Sequence, residues 1–162
     1  MEKSQSIRWL PFVLSLVITE GAGGIGSVFT FGAIGSWYGS LNKSPITPPN
    51  WFFGPIWITL YFLMGLALYL AWNRRRVSSD SGLALSLFFI QLALNVIWSA
   101  IFFGLHQLLF GAVEIVFLWF FILATIIEFR DISKSASYLL FPYIAWVTLA
   151  TMLNISILWL NA

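Results

Sequence analysis

Residues 108–127 read LLFGAVEIVFLWFFILATII, and the reading of this stretch decides the fold. Glu114 is its only ionisable side chain. A helix crossing the hydrocarbon core of a bilayer needs about 20 mostly apolar residues. A helix apolar around its whole circumference must be buried on every side or face lipid. Four further runs of the same character lie to either side. They extend from about Ile7 to Ile34, Trp51 to Trp72, Gly82 to Phe103 and Tyr138 to Leu160. Composition agrees: 162 residues, 60% hydrophobic and 9% charged, with a mean hydropathy of +0.91. Soluble domains average roughly 25% charged residues. So few charges cannot cover a soluble surface of this size. The chain is predicted to be an all-α integral membrane protein, a single domain over residues 1–162 built as a five-transmembrane-helix bundle.

Charge placement orients the bundle. With five spans, the N-terminus, the second loop and the fourth loop share one side. Lys3, Arg8, Arg74, Arg75, Arg76, Arg130 and Lys134 all fall there, and Lys43 falls on the other. Positive residues mark the cytoplasmic side, so the N-terminus is predicted to be cytoplasmic and the C-terminus outside. Adding or dropping a span would scatter the charges. Lys3 and Arg8 before an apolar run, followed by Gly21-Ala22-Gly23-Gly24, resemble a cleavable leader. Glu20 and the continuing apolar stretch Ile25 to Ile34 favour a retained first span instead. Trp9, Trp72 and Trp159 near span ends read as an interfacial belt. Gly21, Gly23, Gly24 and Gly26 are expected to let the first helix approach a neighbour closely.

Several chemistries are excluded. There is no cysteine, so no disulfide, thiol nucleophile or thiolate metal site exists. The single histidine, His106, rules out a two-histidine metal site, and no metal site is expected. No phosphate-loop or dinucleotide motif is present. Basic residues are too few and dispersed for a nucleic-acid surface. Aromatics are the positive anomaly: 19% of the chain, with nine Trp. That is more indole than interfacial anchoring of a small bundle requires.

The aromatics concentrate around the first loop. Trp37-Tyr38-x-x-Leu41 precedes Lys43, then Thr47-Pro48-Pro49-Asn50-Trp51-Phe52-Phe53-Gly54-Pro55-Ile56-Trp57 runs on to Leu60-Tyr61. Pro45, Pro48 and Pro49 prevent a continuous helix there. Two readings of this loop are open: a rigid lid over a site for a flat apolar ligand, or a plug that anchors the bundle. Helical spacing defines three faces that mix indole with small or polar groups. Trp57, Tyr61 and Met64 share one. Asn95, Trp98, Ser99 and Phe102 share a second. Trp146, Ala150, Leu153 and Asn154 share a third. Unpaired polar groups are costly in hydrocarbon, so these faces are expected to point inward. Whether they pack solidly through interhelical hydrogen bonds or line a cavity is open at this level.

The stretch from Trp37 to Tyr61 resembles the signature loop and second helix of the TspO family, the tryptophan-rich sensory or translocator proteins. Asn95-x-x-Trp98-Ser99-x-x-Phe102-Phe103 is similar to the family's third-helix pattern. Pro142-Tyr143-x-x-Trp146 with Ala150 and Leu153-Asn154 is similar to its fifth. The resemblance covers nearly the whole chain. It implies a homodimeric five-helix protein that binds porphyrin, or benzodiazepine-type and isoquinoline carboxamide drugs, beneath the first loop. By position, Trp37, Tyr38, Pro48, Trp57, Tyr61, Asn95, Trp98, Trp146, Ala150 and Leu153 would line the site. Trp57 and Trp146 match the two tryptophans tied in bacterial members to light-dependent porphyrin breakdown. Porphyrin is thus expected as a ligand, with no covalent cofactor, and membrane lipids as surroundings.

Two departures stand out. Lys43-Ser44-Pro45-Ile46 replaces the family's K-P-x-W, and the stretch from Leu153 to Asn161 lacks the tyrosine and basic residue of the animal members' sterol segment. Three functional classes remain: a porphyrin receptor or carrier, a light- and oxygen-dependent porphyrin-degrading enzyme, and a lipid carrier or scaffold. A bacterial or archaeal cytoplasmic membrane is the expected location, with the mitochondrial outer membrane as the alternative. Among ionisable groups, Glu20 near the middle of the first span is the functional candidate. Glu114 is expected near the interface, where a carboxylate suits a helix N-terminus, and His106 in an exposed turn.

Overall fold

The computed structural model describes residues 8–74 and 81–162. Lys3, Arg75 and Arg76 of the charge argument lie outside the described residues. The apolar runs form helices because a backbone in lipid must satisfy its own hydrogen bonds. Helix α1 spans Trp9–Ile34 and α2 is a short turn, Trp37–Ser40. Helix α3 spans Asn50–Arg74, with Pro55 in its second turn. Helix α4, Ser81–Ser99, runs on into a π-helical turn, Ala100–Gly104. Helix α5 spans Leu108–Ile132, α6 Lys134–Leu139 and α7 Phe141–Asn161. Among the described residues five helical segments are long and apolar enough to cross a membrane, the last of them Lys134–Asn161. The fold is an all-α five-span bundle.

Helix α1 packs on α3 and α4, and α5 lies between α4 and α7. The core joins Met64 and Leu68 of α3, Phe88 of α4, Leu118 and Ile122 of α5, and Tyr143 of α7, all essentially inaccessible. Phe88 stacks on Phe129 with ring centroids 5.6 Å apart. The opposite faces are plain hydrocarbon. Val13, Val17 and Phe31 of α1, and Leu109, Val113, Phe117 and Phe120 of α5, are exposed. In a bilayer these side chains meet acyl chains, which is why apolar residues lie on both sides of each helix.

Alternation of the spans gathers Arg8, Arg74, Arg130 and Lys134 at one end of the bundle and Lys43 at the other. The Arg8 backbone N–H donates to the Tyr69 hydroxyl at 3.2 Å, tying the start of α1 to the end of α3. At the opposite end the Asn42 N–H donates to Asn161 Oδ1 at 2.9 Å, and Asn161 Nδ2 returns a bond to the Asn42 carbonyl at 2.9 Å. The first loop is therefore fastened to the end of α7.

Three expectations change in detail. Of the α1 glycines, Gly23 meets a neighbour closely: a Cβ there would lie 2.5 Å from Cδ2 of Tyr61. Gly26 faces Ser99, with 3.2 Å from a Cβ to Oγ, but Gly21 and Gly24 have nothing within 4 Å. Glu114, six residues into α5, is not free at the surface: it is turned into the bundle, and neither carboxyl oxygen has a hydrogen-bond partner among the described residues. Trp9 and Trp159 are exposed at helix ends as an interfacial belt requires, whereas Trp72 is half-buried against the core.

Candidate functional site

The three mixed faces point inward and meet. Trp57 of α3 lies 6.4 Å from Trp98 of α4 and 6.4 Å from Trp146 of α7, measured between ring centroids. Phe102 stacks on Trp98 at 5.5 Å, and Phe53 meets Trp146 edge-on at 5.8 Å. The π-helical turn inserts an extra residue into α4, and the adjacent Phe102 and Phe103 both end buried beneath Tyr38. Interhelical hydrogen bonds complete the interior. The Tyr61 hydroxyl donates to Asn95 Oδ1, and Asn95 Nδ2 donates to the Tyr143 hydroxyl at 2.8 Å. Trp98 Nε1 donates to Asn154 Oδ1 at 3.3 Å. The buried Trp146 N–H finds no partner among the described residues.

Beside this cluster lies a cavity of about 570 Å³. That is within the ~300–1,000 Å³ range of small-molecule sites. Trp57, Tyr61 and Trp98 form one wall. Helix α1 forms the other, with Glu20, Gly24, Ser27 and Thr30 among its lining residues. The cavity follows the seam between α1 and α3 from Ile34, Asn50 and Trp51 near the first loop down to Glu20 and Tyr61. Phe31 and Ile58 on its rim are exposed, so it opens sideways, toward lipid. It exists because Gly24 contributes no side chain where α3 retreats. A second, far smaller void of about 20 Å³ lies directly under the first loop, against Tyr38, Trp98, Ala150 and Leu153.

The first loop is held down firmly. Lys43 Nζ donates to the Tyr38 carbonyl at 2.6 Å and sits 4.7 Å from the centre of the Tyr38 ring. Burial pushes the Tyr38 hydroxyl up to about 12, so it is neutral. Trp37 stacks on His106 at 4.3 Å and meets Phe102 edge-on. His106 is exposed, with φ of 57°, in the left-handed region. Trp37 thus clamps the first loop to the third. Pro48 is half-buried in the loop and lines neither space.

The ten residues singled out by sequence therefore divide. Trp57, Tyr61 and Trp98 wall the large cavity. Tyr38, Ala150 and Leu153, again with Trp98, border the small void. Asn95 and Trp146 belong to the packed interior, and Trp37 and Pro48 to the loop. Both inward readings hold, in different places: Asn95 and Asn154 are interhelical packing, and the Trp57 wall is cavity. On the α1 side the sequence had singled out Glu20 but did not join it to the aromatic faces, and it passed over Ser27 and Thr30. Glu20, Gly23, Gly24, Ser27 and Thr30 recur at three- and four-residue spacing. That stripe of small and polar residues in an apolar helix was the available signal.

The sequence model of the TspO/MBR family matches residues 13–160. The chain is 43% identical over 158 residues to the tryptophan-rich protein TspO of Archaeoglobus fulgidus, covering 94% of this chain and 98% of that one. It is 37% identical to protein CrtK of Rhodobacter capsulatus, over 93% of this chain and 92% of that protein. It is also 37% identical to the translocator protein of Ovis aries, over 90% and 87% respectively.

Proposed function

We propose that this chain, which belongs to the TspO/MBR family, is a membrane receptor or carrier for porphyrins and related flat apolar ligands. It is a multi-pass integral membrane protein. One observation carries the ligand reading: the 570 Å³ cavity whose wall is Trp57, Tyr61 and Trp98. Indole and phenol rings present large flat faces with little conformational freedom to lose, which suits a planar guest. The sideways opening lets a molecule dissolved in the bilayer reach the wall without crossing the fastened first loop. The N-terminus belongs in the cytoplasm on this reading, because Arg8, Arg74, Arg130 and Lys134 share its side. A homodimer is proposed with it.

Titrating protoporphyrin IX into the protein in mild detergent tests the assignment. Saturable quenching of Trp emission is expected. Trp57→Ala should weaken it about tenfold, the scale of one lost aromatic contact. Quenching that never saturates, or that is unchanged in Trp57→Ala, would overturn the reading. Light and oxygen separate carrier from enzyme: a new absorbing product over several turnovers would make the protein an enzyme acting through Trp57 and Trp146.

A further inference from the structure

The hydroxyls of the large cavity are biased in one direction. The Ser27 hydroxyl donates to the Gly24 carbonyl at 2.7 Å, and the Thr30 hydroxyl to the Gly26 carbonyl at 3.2 Å. Ser99 Oγ donates to the Asn95 carbonyl at 3.3 Å, and the Tyr61 hydroxyl donates to Asn95 Oδ1. Each of these hydroxyls has thus given its proton to a protein acceptor, as have Trp98 Nε1 and one N–H of the Asn50 amide; the indoles of Trp51 and Trp57 are the other N–H groups of the lining. Glu20 adds a carboxyl at the deep end, with no hydrogen bond or ion pair to another described residue. Among the described residues, no Lys, Arg or His lines the cavity.

Position sharpens the bias. Glu20 lies eleven residues into α1, roughly 16 Å along the helix at 1.5 Å per residue. That places it near mid-bilayer, where an ionisable group without a partner is expensive. Glu114, the carboxyl buried inside the bundle, does not line the cavity. A cavity whose one ionisable lining group is an unpartnered acid, and which opens to lipid, is complementary to a cationic donor that arrives through lipid.

We propose that the α1–α3 cavity selects flat apolar ligands bearing a protonated amine or other cationic nitrogen, with Glu20 as counter-ion at its deep end and the Tyr61 oxygen beside it. The proposal rests on the cavity being the ligand site and adds its charge preference. A ligand with carboxylates has to keep them at the Asn50–Trp51 mouth, away from Glu20. The aromatic wall grips the ring system, and the acid sets which end goes in first.

Three probes with one ring system test this: 1-pyrenemethylamine, 1-methylpyrene and 1-pyreneacetic acid. Each is titrated at pH 7 into the protein in phosphatidylcholine nanodiscs. The readout is the saturable part of energy transfer from Trp to pyrene. The amine should bind about tenfold or more tighter than methylpyrene, the scale of one charge-assisted hydrogen bond, and the acid weakest. Glu20→Gln should bring the amine down to the affinity of methylpyrene. Equal affinities in the unmodified protein, or an amine preference that survives Glu20→Gln, would overturn the charge selection while leaving the cavity as a site. The comparison among probes needs no variant, so a Glu20→Gln protein that fails to fold leaves the test standing. If none of the three pyrenes gives a saturable signal, the cavity reading falls as well.

Discussion

Between Arg8 and Thr19, helix α1 lies tightly against α3, whereas between Glu20 and Ile34 the same two helices stand apart around a cavity. In the first half, Phe12 meets Tyr69 edge-on at 5.3 Å, and Ser15 and Thr19 are fully buried. Gly65 of α3 makes this closeness possible: a Cβ there would lie 2.7 Å from Leu16 Cδ2 and 2.7 Å from Thr19 Oγ1. In the second half Gly24 lines the cavity, and a Cβ there would meet no described residue within 4 Å. Glycine is common to both halves: in the second, Gly23 and Gly26 meet the Tyr61 and Ser99 side chains, while Gly24 borders the cavity. A small residue permits approach, and what stands opposite decides whether approach happens. Tyr61 is the divider: its ring presses on Gly23, and above it the α3 side presents Trp57 and Gly54 to open space.

The comparison can be broken most violently in the closed half. Gly65→Val should destabilise the protein by about 2–3 kcal/mol, as overpacking does in dense interiors. Thermal unfolding followed by circular dichroism in detergent checks this, and an unchanged transition would mean that the seam is loose at both ends. At the divider, Tyr61→Phe leaves Asn95 Oδ1 buried without its donor, at a cost of about 1–2 kcal/mol. The same melting experiment reads it, and Asn95→Leu added to Tyr61→Phe should give less than the sum of the two single effects. In the open half, Gly24→Leu should leave the melting transition in place while weakening porphyrin binding about tenfold, ~1.4 kcal/mol. Stability lost without loss of binding would show that the cavity is not the site. Away from the seam, Trp159→Ala should change stability by less than about 0.5 kcal/mol, because its ring is exposed at the end of α7.

Much of this was legible in the chain. Residues 108–127 announce a span because length and apolarity are the whole requirement for crossing lipid. The inward direction of Trp57, Asn95 and Trp146 follows from periodicity, since each shares a helical face with small or polar neighbours. Glu20 was visible as an oddity. Its connection to the aromatic wall was not, because nothing in α1 alone says that α3 stands off at that level. The π-helical turn at Ala100–Gly104 was equally hidden: AIFFG has no proline and its one glycine comes last, where it marks a helix end rather than a change of pitch, and the extra residue is absorbed where Phe102 and Phe103 find space beneath Tyr38. The inward turn of Glu114 was hidden too, because sequence distance from a helix start says how deep a side chain lies, not which way it turns.

By itself, then, the sequence determined the solvent, the number of spans and the clustering of basic residues at one end. These are properties of single segments and of their order, and transfer free energies of individual residues suffice for them. Only the tertiary structure decided where the empty volume is. A cavity is a difference between the surfaces of two helices, and no one segment encodes it: Gly24 is a void and Gly65 a contact because of what each meets across the seam.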